Sequence, residues 1–222
     1  MENKKCVYEK LIEYKRGTLI EQVHYGLIVH VNKSGIINKI GNDNGYKFYH
    51  RSCMKPLQAA MIFDLKLDEK YHFSLEEIAL FGASHTGDLI HQEKVLSVLE
   101  KIGLKEDDLL CHEHSPLSKK EQIRLLKSNL PERKIHNNCS GKHAAMLTIC
   151  KNMNYPLSNY KDMNHPLTKL IFNRVCELCE INYKDVIVSK DGCGLPVIAT
   201  PLENLAKGFL NLFTDIKYKK KN

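Results

Sequence analysis

The hydrophobic pattern of this chain changes its period once, near residue 55. Before that point, apolar and β-branched residues alternate in runs 7–14, 19–31 and 36–40, which polar stretches containing Gly17 and Gly35 separate. Alternation with a period of two between turn-forming residues predicts β-strands joined as hairpins. We therefore expect β-strands before residue 55 and a different type of secondary structure after it.

Helical signals follow from residue 55 to residue 130. Ser74 and Glu77 have the spacing of a capping box, and apolar residues from 89 to 102 recur three and four positions apart until Gly103. Further helices are predicted over 141–149 and after the Asn-His-Pro sequence at 164–166, where proline suits a first helical turn.

A buried strand is predicted over 186–188, before the loop around Asp191. We find no repeat, low-complexity linker or domain boundary. The expected fold class is therefore α+β, with helices and an antiparallel sheet in a single domain over residues 1–222.

Composition excludes several functional classes. The formal net charge is +7, but Lys217, Lys219, Lys220 and Lys221 supply four of these charges, and no nucleic-acid motif accompanies them. We predict no nucleic-acid partner.

The apolar stretches are strand-sized, no apolar leader follows the first residues, and eight cysteines are scattered without a disulfide-scaffold spacing. These features predict a cytoplasmic protein with reduced thiols and no membrane partner.

Two Ser-x-x-Lys sequences could carry nucleophilic chemistry, Ser52 with Lys55 and Ser158 with Lys161. One helical turn brings such a hydroxyl and amine to the same face, where the amine can act as a base. Ser52 lies between a strand region and a helix start marked by Pro56, which favours the first pair. A simple N-cap serine at position 52 explains the sequence as well.

A second concentration of chemistry surrounds Cys139. The segment from His136 to His143 holds several side chains that can bind a metal, and Cys193 in a glycine-flanked loop could add a thiolate. Two thiolates, one nitrogen ligand and an open position are typical of catalytic zinc. Two cysteines and a histidine also occur together by accident, so both interpretations stay open.

Three other motifs are interpreted as structural or ambiguous. We expect Cys176 and Cys179, a Cys-x-x-Cys pair, to lie in a helix rather than in a zinc knuckle. His112 and His114 are two residues apart, so in regular structure they would face opposite sides. The adjacent side chains at positions 84 and 85 should likewise point apart.

Taken together, the motifs resemble the asparaginase II family of the rhizobial type. The similarity extends from about residue 7 to about residue 213, and the most specific block is His-Asn-Asn-Cys-Ser-Gly-Lys-His. The matching segments, in family order, are 16–17, 21–26, 51–58, 83–85, Cys111 with His114, 136–144 and 191–193.

The resemblance implies an amidohydrolase that converts L-asparagine to L-aspartate and ammonia beside a zinc ion. It also implies a fold similar to that of serine β-lactamases and penicillin-binding proteins, and it favours a homodimer. The carried-over roles are catalytic for Ser52, Lys55 and Ser84, substrate-binding for Arg51, His143 and Asp191, and zinc-binding for Cys139, Lys142 and Cys193.

The chain departs from the family pattern at its end. Similarity gives way to a basic tail at residues 214–222, and family members continue with a lysine that partners the second serine. On this basis we expect a C-terminally incomplete domain with an exposed sheet edge. Two alternatives to an active asparaginase stay open, an inactive zinc-binding remnant and a Ser-Lys hydrolase of the penicillin-recognising kind.

Overall fold

The structure is a computed structural model that describes residues 5–215, and the fold class within them is α+β. The described strands are β1 (Glu9–Arg16), β2 (Leu19–Gly26), β3 (Ile28–Asn32), β4 (Gly35–Ile40), β5 (Phe48–Tyr49), β6 (Ile187–Lys190) and β7 (Pro196–Thr200). The helices are α1 (Met54–Asp64), α2 (Leu67–Lys70), α3 (Leu75–Gly82), α4 (Leu89–Lys101), α5 (Lys119–Lys127), α6 (Ser140–Met153), α7 (Pro166–Leu178) and α8 (Leu202–Thr214).

The strands form three small antiparallel sheets in the described part of the chain, where one sheet was expected. The sheets are β1–β2, β3–β4 and β5–β7–β6. The predicted run 19–31 is two strands, because β2 ends at Gly26 after pairing back onto β1, and β3 pairs forward onto β4. The front of the chain therefore forms two consecutive hairpins.

The first hairpin contributes little to the core. Both faces of β1 and β2 are largely exposed, and the exposed large apolar side chains on them are Ile12, Tyr14, Leu19, Ile20, Val23 and Tyr25. The second hairpin has α8 packed against β3.

The core lies among helices α1, α3, α4, α6 and α7. α6 is its centre, since every residue from Ser140 to Cys150 is buried. α3 has the predicted capping box, with the Ser74 side chain accepting from the Glu77 backbone and the Glu77 side chain accepting from the Ser74 backbone. α7 begins at Pro166, as predicted. Cys176 lies in α7 and Cys179 is the residue that caps its C-terminus, and both are buried, which confirms the helical assignment for Cys176.

The end of the described chain contains elements that sequence reasoning missed. β7 is buried at all five positions, and α8 follows it directly. None of the helices in residues 5–215 is long and apolar enough to cross a bilayer. The predicted basic tail at 214–222 lies outside the described residues from position 216 onward.

Two buried histidines connect segments around the first turn of α1. His50, after β5, hydrogen-bonds through Nε2 to Thr200 Oγ1 of β7 at 2.7 Å. His85, after α3, hydrogen-bonds through Nε2 to Ser140 Oγ of α6 at 2.8 Å. Burial lowers the pKa of both rings to about 4, and His91 and Lys55 add to the effect at His85. Both rings are therefore neutral at pH 7.

We predict that acid destabilises the chain through these two histidines. An unfolded histidine has a pKa near 6.5, so between pH 6.5 and pH 4 the unfolded chain binds more protons than the folded chain. Stability is therefore lost as pH falls through this window, by about 3 kcal/mol for each ring. The free energy of unfolding, measured with urea at several pH values, should fall less between pH 6.5 and pH 4 for His50→Gln or His85→Gln than for the unsubstituted chain. His24→Gln, at an exposed position on β2, is the control, and identical profiles for all variants would contradict the prediction.

Candidate active site

The segment that carries Ser52 is held in an unusual backbone conformation. A 3₁₀ turn, Arg51–Cys53, connects β5 to α1, and Arg51 has φ +48°. A non-glycine residue in this left-handed region is strained, and such strain is concentrated at functional sites. The turn leaves Ser52 exposed at the surface and buries Lys55 in the first turn of α1.

The buried amine of Lys55 connects three segments of the chain. Its Nζ donates to Ala83 O at 2.9 Å, to Ser84 Oγ at 2.6 Å and to Asn138 O at 3.4 Å. Burial lowers the pKa of this amine, and the positive charge of Lys142 lowers it further, against the opposing effect of Cys139. Lys55 is therefore closer to the neutral, basic form than an exposed lysine.

Ser84 stands between Lys55 and Ser52. The two serine hydroxyl oxygens are 3.0 Å apart, so the three side chains form a continuous hydrogen-bonded chain. In the described residues no hydrogen bond joins Lys55 directly to Ser52. The predicted Ser-x-x-Lys pair is therefore brought together through a third residue. The adjacent side chains of Ser84 and His85 point apart, as expected.

Close packing of α3 against α6 places the loop with Ser84 beside the start of α6. A Cβ added at Gly141 would lie 2.5 Å from Leu80 O, so only glycine permits this approach. The backbone N–H of His85 also donates to Asn138 O at 3.3 Å. The glycine of the His-Asn-Asn-Cys-Ser-Gly block thus has a packing function that helps to set the position of Ser84.

Ser52 faces a cleft of about 200 Å³. The lining residues are Arg51, Ser52, His112, His114, Asn137, Asn138, Cys139, Asp191, Gly192 and Cys193. Ser84 lines a different, mostly apolar groove between α3 and α4. The volume of the cleft is below the usual range for drug-sized ligands, which indicates a small ligand.

One wall of the cleft carries paired charges. Arg51 Nε donates to Asp191 Oδ1 at 2.7 Å, and Lys142 Nζ lies 3.5 Å from Asp191 Oδ2. The Arg51 side chain is 66% exposed, so part of its guanidinium is accessible to a ligand. A cation and an anion side by side suit a ligand that carries both charges.

The side chains of Cys139, Lys142 and Cys193 come together next to these charges, and the two cysteines line the cleft themselves. The Cys139 thiol donates a hydrogen bond to Cys193, which holds the pKa of Cys193 well below the ordinary thiol value, and His143 and Lys142 act in the same direction. Burial lowers the pKa of Lys142, but Cys193 and then Cys139 outweigh burial and raise it. The Lys142 amine is therefore protonated beside a thiolate.

Two thiols and a buried amine fit the ligand preferences of zinc, which favours sulfur and nitrogen. No group of three or more His, Cys, Asp or Glu side chains within residues 5–215 is arranged to hold a metal. Zinc at this position therefore depends on Lys142 as the nitrogen ligand. That amine must lose its proton to bind, so metal affinity falls with acid.

His143 is fully buried and does not line the cleft. Its Nδ1 is 2.7 Å from the hydroxyl of Tyr160, which also accepts a hydrogen bond from Leu110 N at 2.8 Å. The His143 ring interacts electrostatically with Cys193. His143 is thus placed behind the thiols, on the side away from the cleft.

Sequence reasoning was wrong about one motif. His112 and His114 both line the cleft, with ring centroids 5.8 Å apart, although they were expected to face opposite sides. The expectation holds only for a helix, because residues two apart in a strand share a face, and this segment has no helix and only an isolated bridge between His114 and Arg133. Asn137 and Asn138 also line the cleft, and the sequence signals for them were their position beside Cys139 and their place in the family block at 136–143.

Comparison with known proteins supports the resemblance noted from the motifs. The family model described as L-asparaginase II matches residues 12–222. A search of curated protein sequences found no match. The matched region includes the Ser52–Ser84–Lys55 chain, the paired charges and the two cleft thiols. Because the match covers nearly the whole sequence, the chain belongs to the L-asparaginase II family.

Proposed function

We propose that this chain hydrolyses the side-chain amide of L-asparagine to L-aspartate and ammonia, with Ser52 as the acyl acceptor. The observation that carries the proposal is the hydrogen-bonded chain from Lys55 through Ser84 to Ser52, which ends in a small charged cleft. Membership of the L-asparaginase II family supports the reaction in general terms.

Ser52 needs a base to become a nucleophile, and Lys55 can act as that base through Ser84. In the resting arrangement Lys55 donates to Ser84 and Ser84 donates to Ser52. When Lys55 is neutral, both hydrogen bonds reverse, so that Ser52 donates to Ser84 and Ser84 donates to the amine. Burial favours this reversal because it lowers the pKa of Lys55.

In the acylation step, protons move along the hydrogen-bonded side chains of Ser52, Ser84 and Lys55. Ser52 Oγ forms a bond to the amide carbon while its proton passes to Ser84 and the proton of Ser84 passes to Lys55. When the carbon–nitrogen bond breaks, the proton held by Lys55 passes through Ser84 to the leaving nitrogen, because Ser52 Oγ is now the ester oxygen, and ammonia departs. Water then attacks the ester on Ser52 with the same base, and aspartate is released.

The charged wall gives the substrate its orientation. The α-carboxylate of asparagine complements Arg51, and its α-ammonium complements Asp191, whose two oxygens already contact Arg51 and Lys142. The side-chain amide then extends toward Ser52, which lines the same cleft.

We propose that zinc binds between Cys139, Lys142 and Cys193. A bound zinc ion would act as a Lewis acid that polarises a carbonyl oxygen of the substrate.

The purified 222-residue chain should release ammonia from L-asparagine. Ser52→Ala should reduce the rate by about 10³-fold or more, since it removes the acyl acceptor. Ser84→Ala should reduce it by roughly 10²- to 10⁴-fold, the usual contribution of general acid–base catalysis. In the unsubstituted chain the rate should rise with pH along a limb below the ordinary pKa of lysine, because burial lowers the pKa of Lys55.

Ser158→Ala is the matched control for these variants. Ser158 has the same Ser-x-x-Lys spacing, with Lys161, but it is exposed in the segment between α6 and α7. Its variant should keep full activity. Full activity of Ser52→Ala in a correctly folded protein would exclude Ser52 as the acyl acceptor.

Metal content tests the zinc proposal separately. We expect about one zinc per chain by mass spectrometry of metals, and at least tenfold weaker binding after Cys193→Ser, which replaces a thiolate ligand. Cys6→Ser is the control, because Cys6 lies beside Asp43 in the front segment. The affinity for zinc should fall at low pH, because a protonated Lys142 cannot bind the metal. A metal-free chain would contradict the zinc proposal, and a folded, zinc-loaded chain without turnover would favour the inactive zinc-binding remnant.

A further inference from the structure

Tyr160 contacts His143 behind the candidate site, although it belongs to none of the motifs identified from the sequence. It lies between α6 and α7 and is fully buried, with a hydroxyl that has two partners among the described residues. The backbone N–H of Leu110 donates to the hydroxyl oxygen at 2.8 Å. The other partner is Nδ1 of His143, at 2.7 Å.

These two contacts determine where the proton of His143 lies. Tyrosine has a single hydroxyl proton, and Leu110 N has no acceptor capacity, so the hydroxyl can donate only to His143 Nδ1. If Nδ1 carried the proton instead, the Tyr160 proton and the Nε2 lone pair would both be buried without a partner, whereas a proton on Nε2 leaves only that one N–H without a hydrogen-bond partner in residues 5–215. The neutral imidazole therefore carries its proton on Nε2.

The Nε2 atom of His143 is buried and has no hydrogen-bond partner within residues 5–215. The thiol that interacts with this ring is Cys193, in the loop after β6. An N–H group facing a sulfur atom can stabilise it as an acceptor, whether or not a metal is bound to that sulfur.

We infer that Tyr160 is a positioning residue that holds His143 as an Nε2–H donor facing Cys193. Tyr160 thereby orients a donor behind the thiol that forms part of the cleft wall. The tautomer follows from hydrogen bonds alone. The consequence for metal binding rests on the zinc site proposed above, in which Cys193 is a ligand.

Nitrogen NMR of the imidazole rings tests the tautomer in the full chain. Spectra of the ¹⁵N-labelled, metal-free protein should show His143 with a protonated Nε2 and an unprotonated Nδ1, with the signals assigned by their loss in His143→Gln. A protonated Nδ1 in the neutral ring would overturn the inference. This measurement uses the unsubstituted protein, so it is decisive even if a Tyr160 variant does not fold.

Zinc affinity tests the consequence. Tyr160→Phe keeps the ring and removes the hydroxyl, so His143 loses its fixed tautomer and zinc binding should weaken by about 10- to 100-fold, the usual effect of removing an outer-shell partner. Tyr155→Phe is the matched control, since Tyr155 packs beside the core and contacts the His165 ring. It should leave zinc affinity unchanged.

The two measurements separate failure of the inference from failure of the zinc proposal. Equal zinc affinities for Tyr160→Phe and the unsubstituted chain would overturn the positioning role. A chain that binds no zinc would contradict the zinc site, and the NMR measurement would still confirm or overturn the assignment of the His143 proton. A retained unfolding midpoint with weakened zinc binding would distinguish positioning from a purely structural effect.

Discussion

The arrangement of the site depends on the buried amine of Lys55. Burying an amine is costly unless it is hydrogen-bonded, and here two backbone carbonyls and one hydroxyl accept from it. The carbonyls belong to Ala83 and Asn138, which lie after α3 and before α6. The amine therefore holds two distant loops against α1, and Ser84 is in position because its loop must satisfy that amine.

Two buried lysines in one site have pKa values shifted in opposite directions. Lys55 faces neutral oxygens, so burial dominates and lowers its pKa. Lys142 is equally buried, but it lies beside the Cys193 thiolate and Asp191, and these charges raise its pKa. The neighbours, rather than the residue type, make Lys55 suited to act as a base and leave Lys142 protonated in the metal-free site.

Local features of the fold could be predicted from the sequence pattern, and the hydrogen-bonded chain of Lys55, Ser84 and Ser52 could not. The capping box at Ser74 and the proline at the start of α7 depend on neighbouring residues, so a short window of sequence contains all the information. The contact between Lys55 and Ser84 joins residues 29 positions apart, and the contact with Asn138 joins residues 83 apart. Periodicity carries no information on such pairs, and only the family resemblance placed both serines in one site.

The lack of long-range information in a sequence pattern also explains the other errors and omissions of the sequence analysis. Opposite faces for His112 and His114 would follow only from a helix, since residues two apart in a strand share a face, and these residues follow an irregular path. β7 was missed although its apolar run is continuous, because a short buried strand and a helix segment have the same hydrophobic signal. Tyr160 had no signal at all, since its function depends on a hydroxyl meeting His143 across the core.

The positions of the two serines decide which one suits the role of acyl acceptor. Ser84 contacts Lys55 directly but lines the apolar groove between α3 and α4 rather than the cleft with Arg51 and Asp191. Ser52 contacts Lys55 only through Ser84, yet it lines the cleft that carries those charges. In the proposed reaction, a substrate held by the charged wall therefore lies beside Ser52, and Ser84 transfers protons. In this division of roles a single lysine serves both serines, because Lys55 contacts Ser84 directly and Ser52 through Ser84.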